Sequence, residues 1–169
     1  MLQKVYLSLG SNLGAREKYL SKAIREINAT IGQLVVLSGI YETEAWGFKA
    51  DEKFLNVVIE ITTVYSASEV LEKCLGIESG LGRVRNSNKG YSSRNIDIDV
   101  LFYANEIVAD ATLTLPHPHL SKRRFILEPL NEIAPDFKHP VLGLTITELL
   151  KQCSDPGIVT PLGVLAAFD

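Results

Sequence analysis

The sequence has little cysteine, little histidine and no surplus of positive charge. Cys74 and Cys153 are its two thiols in 169 residues. They fit no metal-ligand spacing, and Cys74 falls on the apolar side of an expected helix. Both are read as reduced thiols of a cytoplasmic protein. Its three histidines, His117, His119 and His139, are too scattered for a zinc site. A net charge of −3 and a pI near 5.7 argue against bulk affinity for nucleic acid or an anionic membrane. No apolar run approaches the roughly 18 residues of a membrane span. The opening MLQKVYLSLGSN lacks the regions of a signal peptide. Repeats, low-complexity segments and linkers are missing too. What is present, 46% hydrophobic and 22% charged residues, is the composition of an ordinary globule, and residues 1–169 are read as one domain, expected to act as a monomer.

The charge that is there is unevenly placed. Five of the seven arginines (Arg83, Arg85, Arg94, Arg123, Arg124) lie between positions 83 and 124. A net acidic chain with locally concentrated arginine suits a small anionic ligand better than a long polyanion.

The stretch GRVRNSNKGYSSRNIDIDVLFY, Gly82 to Tyr103, sets three of those arginines just ahead of Asp97 and Asp99. The aspartates alternate with Ile96, Ile98 and Val100, the period-two pattern of a half-buried strand, so both carboxylates share one face. Their Cα atoms are then roughly 6.6 Å apart, and like charges at that distance repel by about 2.5 kcal/mol at an effective dielectric of about 20. A bound divalent cation, or two, reverses the sign of that interaction. Mg²⁺ takes one or two carboxylates, several waters and substrate phosphate oxygens, while arginine offers planar bidentate donors for phosphate. Together they read as a site for polyphosphate transfer. The bland alternative is a polar sheet face with solvated arginines.

In chain order, Lys4 to Leu9 alternates as a strand and Gly10 to Gly14 breaks it. Asn12 is placed to cap a helix carrying Leu20, Ala23, Ile24, Ile27 and Ile31. Leu34 to Tyr41 is a second strand, Glu42 to Lys53 an irregular polar segment with the sole tryptophan, Trp46, and Phe54 to Thr63 a third strand. Ser66 and Glu69 have capping-box spacing. They open a helix with Val70, Leu71, Cys74, Ile77 and Leu81 on one side, ending near Gly80 or Gly82. After a polar loop, Asn86 to Ser93, comes the aspartate strand, which Ala104-Asn105 turns into a short hairpin partner, Glu106 to Ala109. The order β-α-β-β-α-β is ferredoxin-like. The expected fold is α+β: an antiparallel sheet with both helices on one face, the other face free for a site, plus a C-terminal hairpin and short helices. The short helices are Ser121 to Leu130, with Phe125 and Leu127 buried, and Thr145 to Gln152. For Ser154 to Asp169 an apolar strap and a frayed end stay equally open.

His117 lies between two prolines, with Arg123 and Arg124 behind it. Either the prolines present His117 and Thr114 to a phosphate, or this is a rigid surface loop with a solvated histidine. Phe54, Phe125 and Trp46 serve as core residues or as a sandwich for a flat heterocycle. Asn56, pointing away from Leu55 and Val57, needs partners if buried, and a heterocycle edge supplies them.

Seven segments then carry a resemblance: LGSNLG (9–14), YETEAWG (41–47), FLN (54–56), IESGLGRVR (77–85), RNIDIDVLFY (94–103), LTLPHP (113–118) and RRFILEPLNEIAP (123–135). In this order they resemble the 6-hydroxymethyl-7,8-dihydropterin pyrophosphokinases of the folate pathway. The resemblance implies transfer of a diphosphoryl group from ATP to the pterin hydroxymethyl oxygen, with release of AMP. It implies that Asp97 and Asp99 hold two Mg²⁺ ions, and that Arg83 and Arg94 stabilise developing charge. Glu78, Arg85, Tyr91, Ile98 (through its backbone), Thr114, His117 and Arg123 belong to the nucleotide side. Phe54 and Phe125 sandwich the pterin, whose polar edge meets Thr43, Asn56 and the backbone around Trp46. The chain departs from the family at Glu44-Ala45, where prolines are common, at Leu75, Thr112 and Pro118-His119, and at Tyr91, where many members have tryptophan. Residues after 150 carry no resemblance. Two readings from other classes are a metal-dependent phosphodiesterase, which needs only water as acceptor, and a ferredoxin-like RNA-binding module. The latter wants a basic surface with exposed aromatics, and the acidic total and Asp-x-Asp strand oppose it.

Overall fold

A computed structural model describes residues 1–82 and 94–168. The elements are β1 (Gln3–Ser11), α1 (Arg16–Thr30), β2 (Gln33–Leu37), β3 (Ile40–Thr43), β4 (Phe54–Thr63), α2 (Ala67–Gly80), β5 (Asp97–Tyr103), β6 (Val108–Ala109), β7 (Thr114–Leu115), α3 (Arg124–Ile133), α4 (Ile146–Gln152) and β8 (Val159–Gly163), with 3-10 turns at Leu120–Lys122 and Ala166–Phe168. The main sheet runs β5-β1-β4-β3-β8, with β2 also paired to β4, and every pairing is antiparallel. This is the expected ferredoxin-like order, with α1 and α2 on one face.

Alternation decides what each face buries. Val5, Leu7 and Leu9 of β1 and Leu55, Val57, Ile59 and Ile61 of β4 join Ile98 and Val100 of β5 beneath Leu20, Ile24 and Ile27 of α1 and Val70 and Cys74 of α2. Each such side chain contributes about 1.5–3 kcal/mol on burial. The capping box that opens α2 is formed as expected, Glu69 N–H donating to Ser66 Oγ and Ser66 N–H to Glu69 Oε2.

The opposite face is only half free. Tyr6, Val58, Leu101 and Phe102 are covered by Ile126, Leu127 and Leu130 of α3 and Ile146 and Leu149 of α4, so the site is confined to the uncovered end. A β-bulge sets the boundary. Tyr6 pairs with Phe102 but Leu7 with Val100, leaving Leu101 as an extra residue in β5. Leu101 and Phe102 therefore both serve the α3 side, while Asp97 and Asp99 keep their own phase nearer the strand start.

Other expectations shift for identifiable reasons. The strand expected over 34–41 is two strands, because Ser38 takes a ladder position with its side chain: Val58 N–H donates to Ser38 Oγ at 2.9 Å, and Ser38 N–H to the Val58 carbonyl at 3.0 Å. Beside it, Gly39 N–H donates to both oxygens of Glu132 from α3. The chain does turn at Ala104, whose φ is +46°, but the segment that follows pairs with β7 and not with β5. The outer edge of β5 is already used: Glu78 Oε1 accepts Ile98 N–H at 2.9 Å and the Leu101 carbonyl accepts His117 N–H at 3.0 Å. The helix expected from Ser121 starts as a 3-10 turn and becomes α-helical only at Arg124.

The tail is a strap. β8 adds to the edge of β3, Leu165 is fully buried in the core under α1 and α2, and the Arg25 guanidinium lies 5.7 Å from the Phe168 ring centre. Leu165→Ala should therefore lower stability by about 2–4 kcal/mol, the cost of an apolar cavity. Unchanged denaturant and thermal midpoints would show the tail to be dispensable.

Candidate active site

The uncovered end of the sheet is the floor of a cleft. Across three strands the register aligns Asp97 with Gly10 and Gly10 with Asn56, and in the next row Asp99 with Ser8. Thr43, Phe54 and Asn56 line one side, Arg94, Asp97 and Asp99 the other, and Arg123 and Phe125 close it from the start of α3, with Glu44, Trp46 and Phe48 also in the wall. Phe125 is half-buried at this wall, so the expectation of a fully buried side chain is corrected: only Leu127 of that pair is sealed in the core.

A second cleft, the larger of the two, is lined by Leu71, Leu75, Ile98, Asp99, Val100, Thr112, Leu113, Thr114, His117 and Pro118. Asp99 lines both clefts and is their meeting point.

The structure thus gathers Thr43, Trp46, Phe54, Asn56, Arg94, Asp97, Asp99, Arg123 and Phe125 at the first cleft and Ile98, Thr114 and His117 with Asp99 at the second. Glu78 is in neither wall; it is 1% exposed and braces β5 from behind. Arg83, Arg85 and Tyr91 lie outside the described residues.

Local chemistry fixes several of these groups. Arg94 Nη1 donates to Asp97 Oδ2 at 3.1 Å. Arg94's backbone is clamped at both ends by Asn12, whose Oδ1 accepts Arg94 N–H at 2.7 Å while its own N–H donates to the Arg94 carbonyl at 3.0 Å. Asn12 Nδ2 also reaches the Glu52 carbonyl at 3.4 Å. Asn12 is therefore not the expected helix cap; α1 begins at Arg16 with no side-chain cap. Arg16 Nη1 joins both ends of the 44–53 segment, donating to Glu42 Oε2 at 3.1 Å and the Lys53 carbonyl at 2.8 Å. Asn56 Nδ2 donates to Thr43 Oγ1 at 2.9 Å. Arg123, 5% exposed, stacks with its guanidinium 4.5 Å from the Trp46 ring centre and 5.8 Å from that of Phe125.

Burial first, and the charge of Asp97 second, push the Asp99 carboxyl well above the ordinary carboxylate range, with Arg123 and Arg94 pulling it back only in part. Burial, then the Arg123 charge, bring His117 down to about 4, so at neutral pH its imidazole is uncharged. At 4.0 Å from Asp99 Oδ2 it forms no ion pair.

The donor set fits a hard cation. It consists of two carboxylates on one strand face, one of them costly to ionise without a counter-charge, and no group of three or more His, Cys, Asp or Glu gathers as a metal site among the described residues. Asp97 and Asp99 suit Mg²⁺, with phosphate oxygens and water completing the shell.

Ser8, Gly10 and Phe48 were not singled out from the sequence. Ser8 and Gly10 carry a signal in hindsight, being the small residues alternating with Leu7 and Leu9; Phe48 carries none.

Residues 6–135 match the family model for 7,8-dihydro-6-hydroxymethylpterin-pyrophosphokinase (HPPK). The chain belongs to this family. Among curated HPPK relatives, the 2-amino-4-hydroxy-6-hydroxymethyldihydropteridine pyrophosphokinase of Porphyromonas gingivalis is 43% identical over 138 residues, 80% of this chain and 93% of that one. The protein of the same name from Methylorubrum extorquens is 41% identical over 158 residues, 93% of this chain and 98% of that one. The folic acid synthesis protein fol1 of Pneumocystis carinii is 36% identical over 92% of this chain, which spans 21% of that longer protein. Among solved structures, wild-type Plasmodium falciparum HPPK-DHPS with pterin and p-hydroxybenzoate superimposes with a TM-score of 0.72 at 18% identity, over 90% of this chain and 43% of that one. A triple mutant of the same protein gives 0.73 at 17% identity, over 90% and 44%. The chain spans less than half of those two solved chains, and at that identity they speak to the HPPK fold alone. Among the described residues no helix is long and apolar enough to cross a membrane.

Proposed function

We propose that this chain transfers diphosphate from ATP to the hydroxymethyl group of 6-hydroxymethyl-7,8-dihydropterin. The hydroxymethyl oxygen attacks the β-phosphorus, the bond to the α-phosphate breaks, and AMP leaves. The observation that carries this reading is Asp99 on the wall common to two clefts, beside Asp97 and Arg94, where an acceptor in one cleft and a nucleotide in the other meet. The pterin ring lies between Phe54 and Phe125, its polar edge against Asn56, Thr43 and the backbone around Trp46. The nucleotide takes the larger cleft, against Ile98, Thr114 and His117.

Asp97 and Asp99 hold two Mg²⁺ ions, which when bound neutralise phosphate charge. Arg94 keeps Asp97 oriented and faces the developing charge, and Arg123 adds a second cation at the cleft wall. Arg83, Arg85 and Tyr91 join the phosphate and nucleotide side. The 44–53 segment limits water, since hydrolysis is the competing reaction. We take the protein to act as a cytoplasmic monomer whose partners are small molecules.

Incubation with ATP, Mg²⁺ and the hydroxymethyl pterin should yield AMP and the pterin diphosphate. ADP, or inorganic phosphate without need of a pterin, would indicate another reaction. Gly10→Ala tests the floor. A Cβ there would sit 3.6 Å from the Phe54 ring, an ordinary contact, but 3.3 Å from Asn56 Oδ1, crowding the amide at the pterin's polar edge. The pterin KM should rise about tenfold, the scale of one misplaced methyl, with the ATP KM unchanged. An equal rise in both would remove the pterin from this floor.

A further inference from the structure

His119 lines neither cleft, yet it stands between a residue of each. Its ring centre is 5.9 Å from that of Trp46, tilted by 42°, and 6.0 Å from that of His117. Both separations are within the range at which aromatic rings attract. Its own backbone is fixed: His119 N–H donates to His117 Nδ1 at 3.2 Å, and its carbonyl accepts Lys122 N–H at 3.0 Å. His117 is tied in turn to the bulge of β5, where its N–H donates to the Leu101 carbonyl. The imidazole thus belongs to the rigid side of the molecule. Trp46 belongs to the segment joining β3 to β4, whose ends are pinned by Arg16 but whose middle has no regular structure.

We propose that His119 is a positioning residue that seats Trp46, and with it the 44–53 segment, against the pterin cleft. Together with Arg123, whose guanidinium stacks on the same indole, it forms the seat. Arg123 lines the cleft itself, whereas His119 reaches the pterin cleft through Trp46. The seat fixes the roof over the flat ring, while the backbone bond from His119 N–H to His117 Nδ1 survives truncation of the side chain, so its loss is felt chiefly by the acceptor. The inference rests on the cleft being the pterin subsite proposed above.

Trp46 is the only tryptophan, so its emission reports this seat without labelling. In the ligand-free full-length protein, His119→Ala should shift the emission to longer wavelength as the indole gains water, and His119→Phe should restore it. In turnover with ATP and Mg²⁺, His119→Ala should raise the pterin KM about fivefold, the scale of one lost ring contact, with the ATP KM within about twofold. His119→Phe should recover the pterin KM. Unchanged emission in His119→Ala, equal rises in both KM values, or failure of the phenylalanine variant to recover either readout would overturn the proposal. The emission arm needs no substrate. If the wild-type protein makes no pterin diphosphate, the cleft assignment fails while the seat is still judged on the ligand-free spectra.

Discussion

Asp97→Ala should abolish AMP formation, by about a thousandfold or more, without unfolding the protein. The carboxylate lies at the cleft wall, 22% exposed, where it pairs with Arg94. Truncation opens no cavity in either hydrophobic cluster, since the apolar phase of β5 is carried by Ile98 and Val100. It also removes the like charge that lifts Asp99, so the metal-free protein should melt no lower than wild type. What disappears is one of the two carboxylates proposed to hold Mg²⁺, together with the hydrogen bond that Arg94 Nη1 donates to it. Asp97→Asn separates these roles: it keeps size and a hydrogen-bond acceptor for Arg94 but lacks the charge. Quantifying AMP under saturating ATP and Mg²⁺ decides the matter, and wild-type-like production by either variant would overturn the metal assignment.

Arg94→Ala should depress kcat by about a hundredfold to a thousandfold, the loss on removing one group aimed at developing charge, while the ATP KM moves far less. The backbone contacts make this a clean test. Asn12 holds position 94 through its N–H and carbonyl, and alanine keeps both groups. The variant therefore removes the guanidinium without loosening the start of β5. Steady-state kinetics in both substrates give the answer: a raised ATP KM with an unchanged kcat would demote Arg94 to a binding group.

The acid pair was legible because strand alternation is a local property. Asp97 and Asp99 needed only the aliphatics between them to be placed on one face, and the capping box at Ser66 likewise needed three intervening residues. Asn12, Ser38 and the tail were not legible, because each is decided by a partner distant in the chain. Asn12 reads as a cap until Arg94 is beside it, and Ser38 reads as mid-strand until Val58 bonds its hydroxyl. Leu165 is apolar in a stretch with proline and glycine, and only the docking of β8 on β3 explains its burial. Asp99 as the wall of two clefts could not be read either, since that depends on the 112–118 segment running along the outer edge of β5. The pterin itself came from family resemblance, not from any spacing of residues.

The extra residue at Leu101 gives β5 two independent faces along its length. Beyond it, Leu101 and Phe102 answer to the packing of α3 and α4; before it, the acids answer only to the cleft. The slack at that one residue works like a swivel in a shaft. Repacking the far end can turn Phe102 without rotating the carboxylates, whereas flattening the bulge so that Leu101 paired with Leu7 would send Asp97 and Asp99 inward toward the apolar layer under α1 and α2.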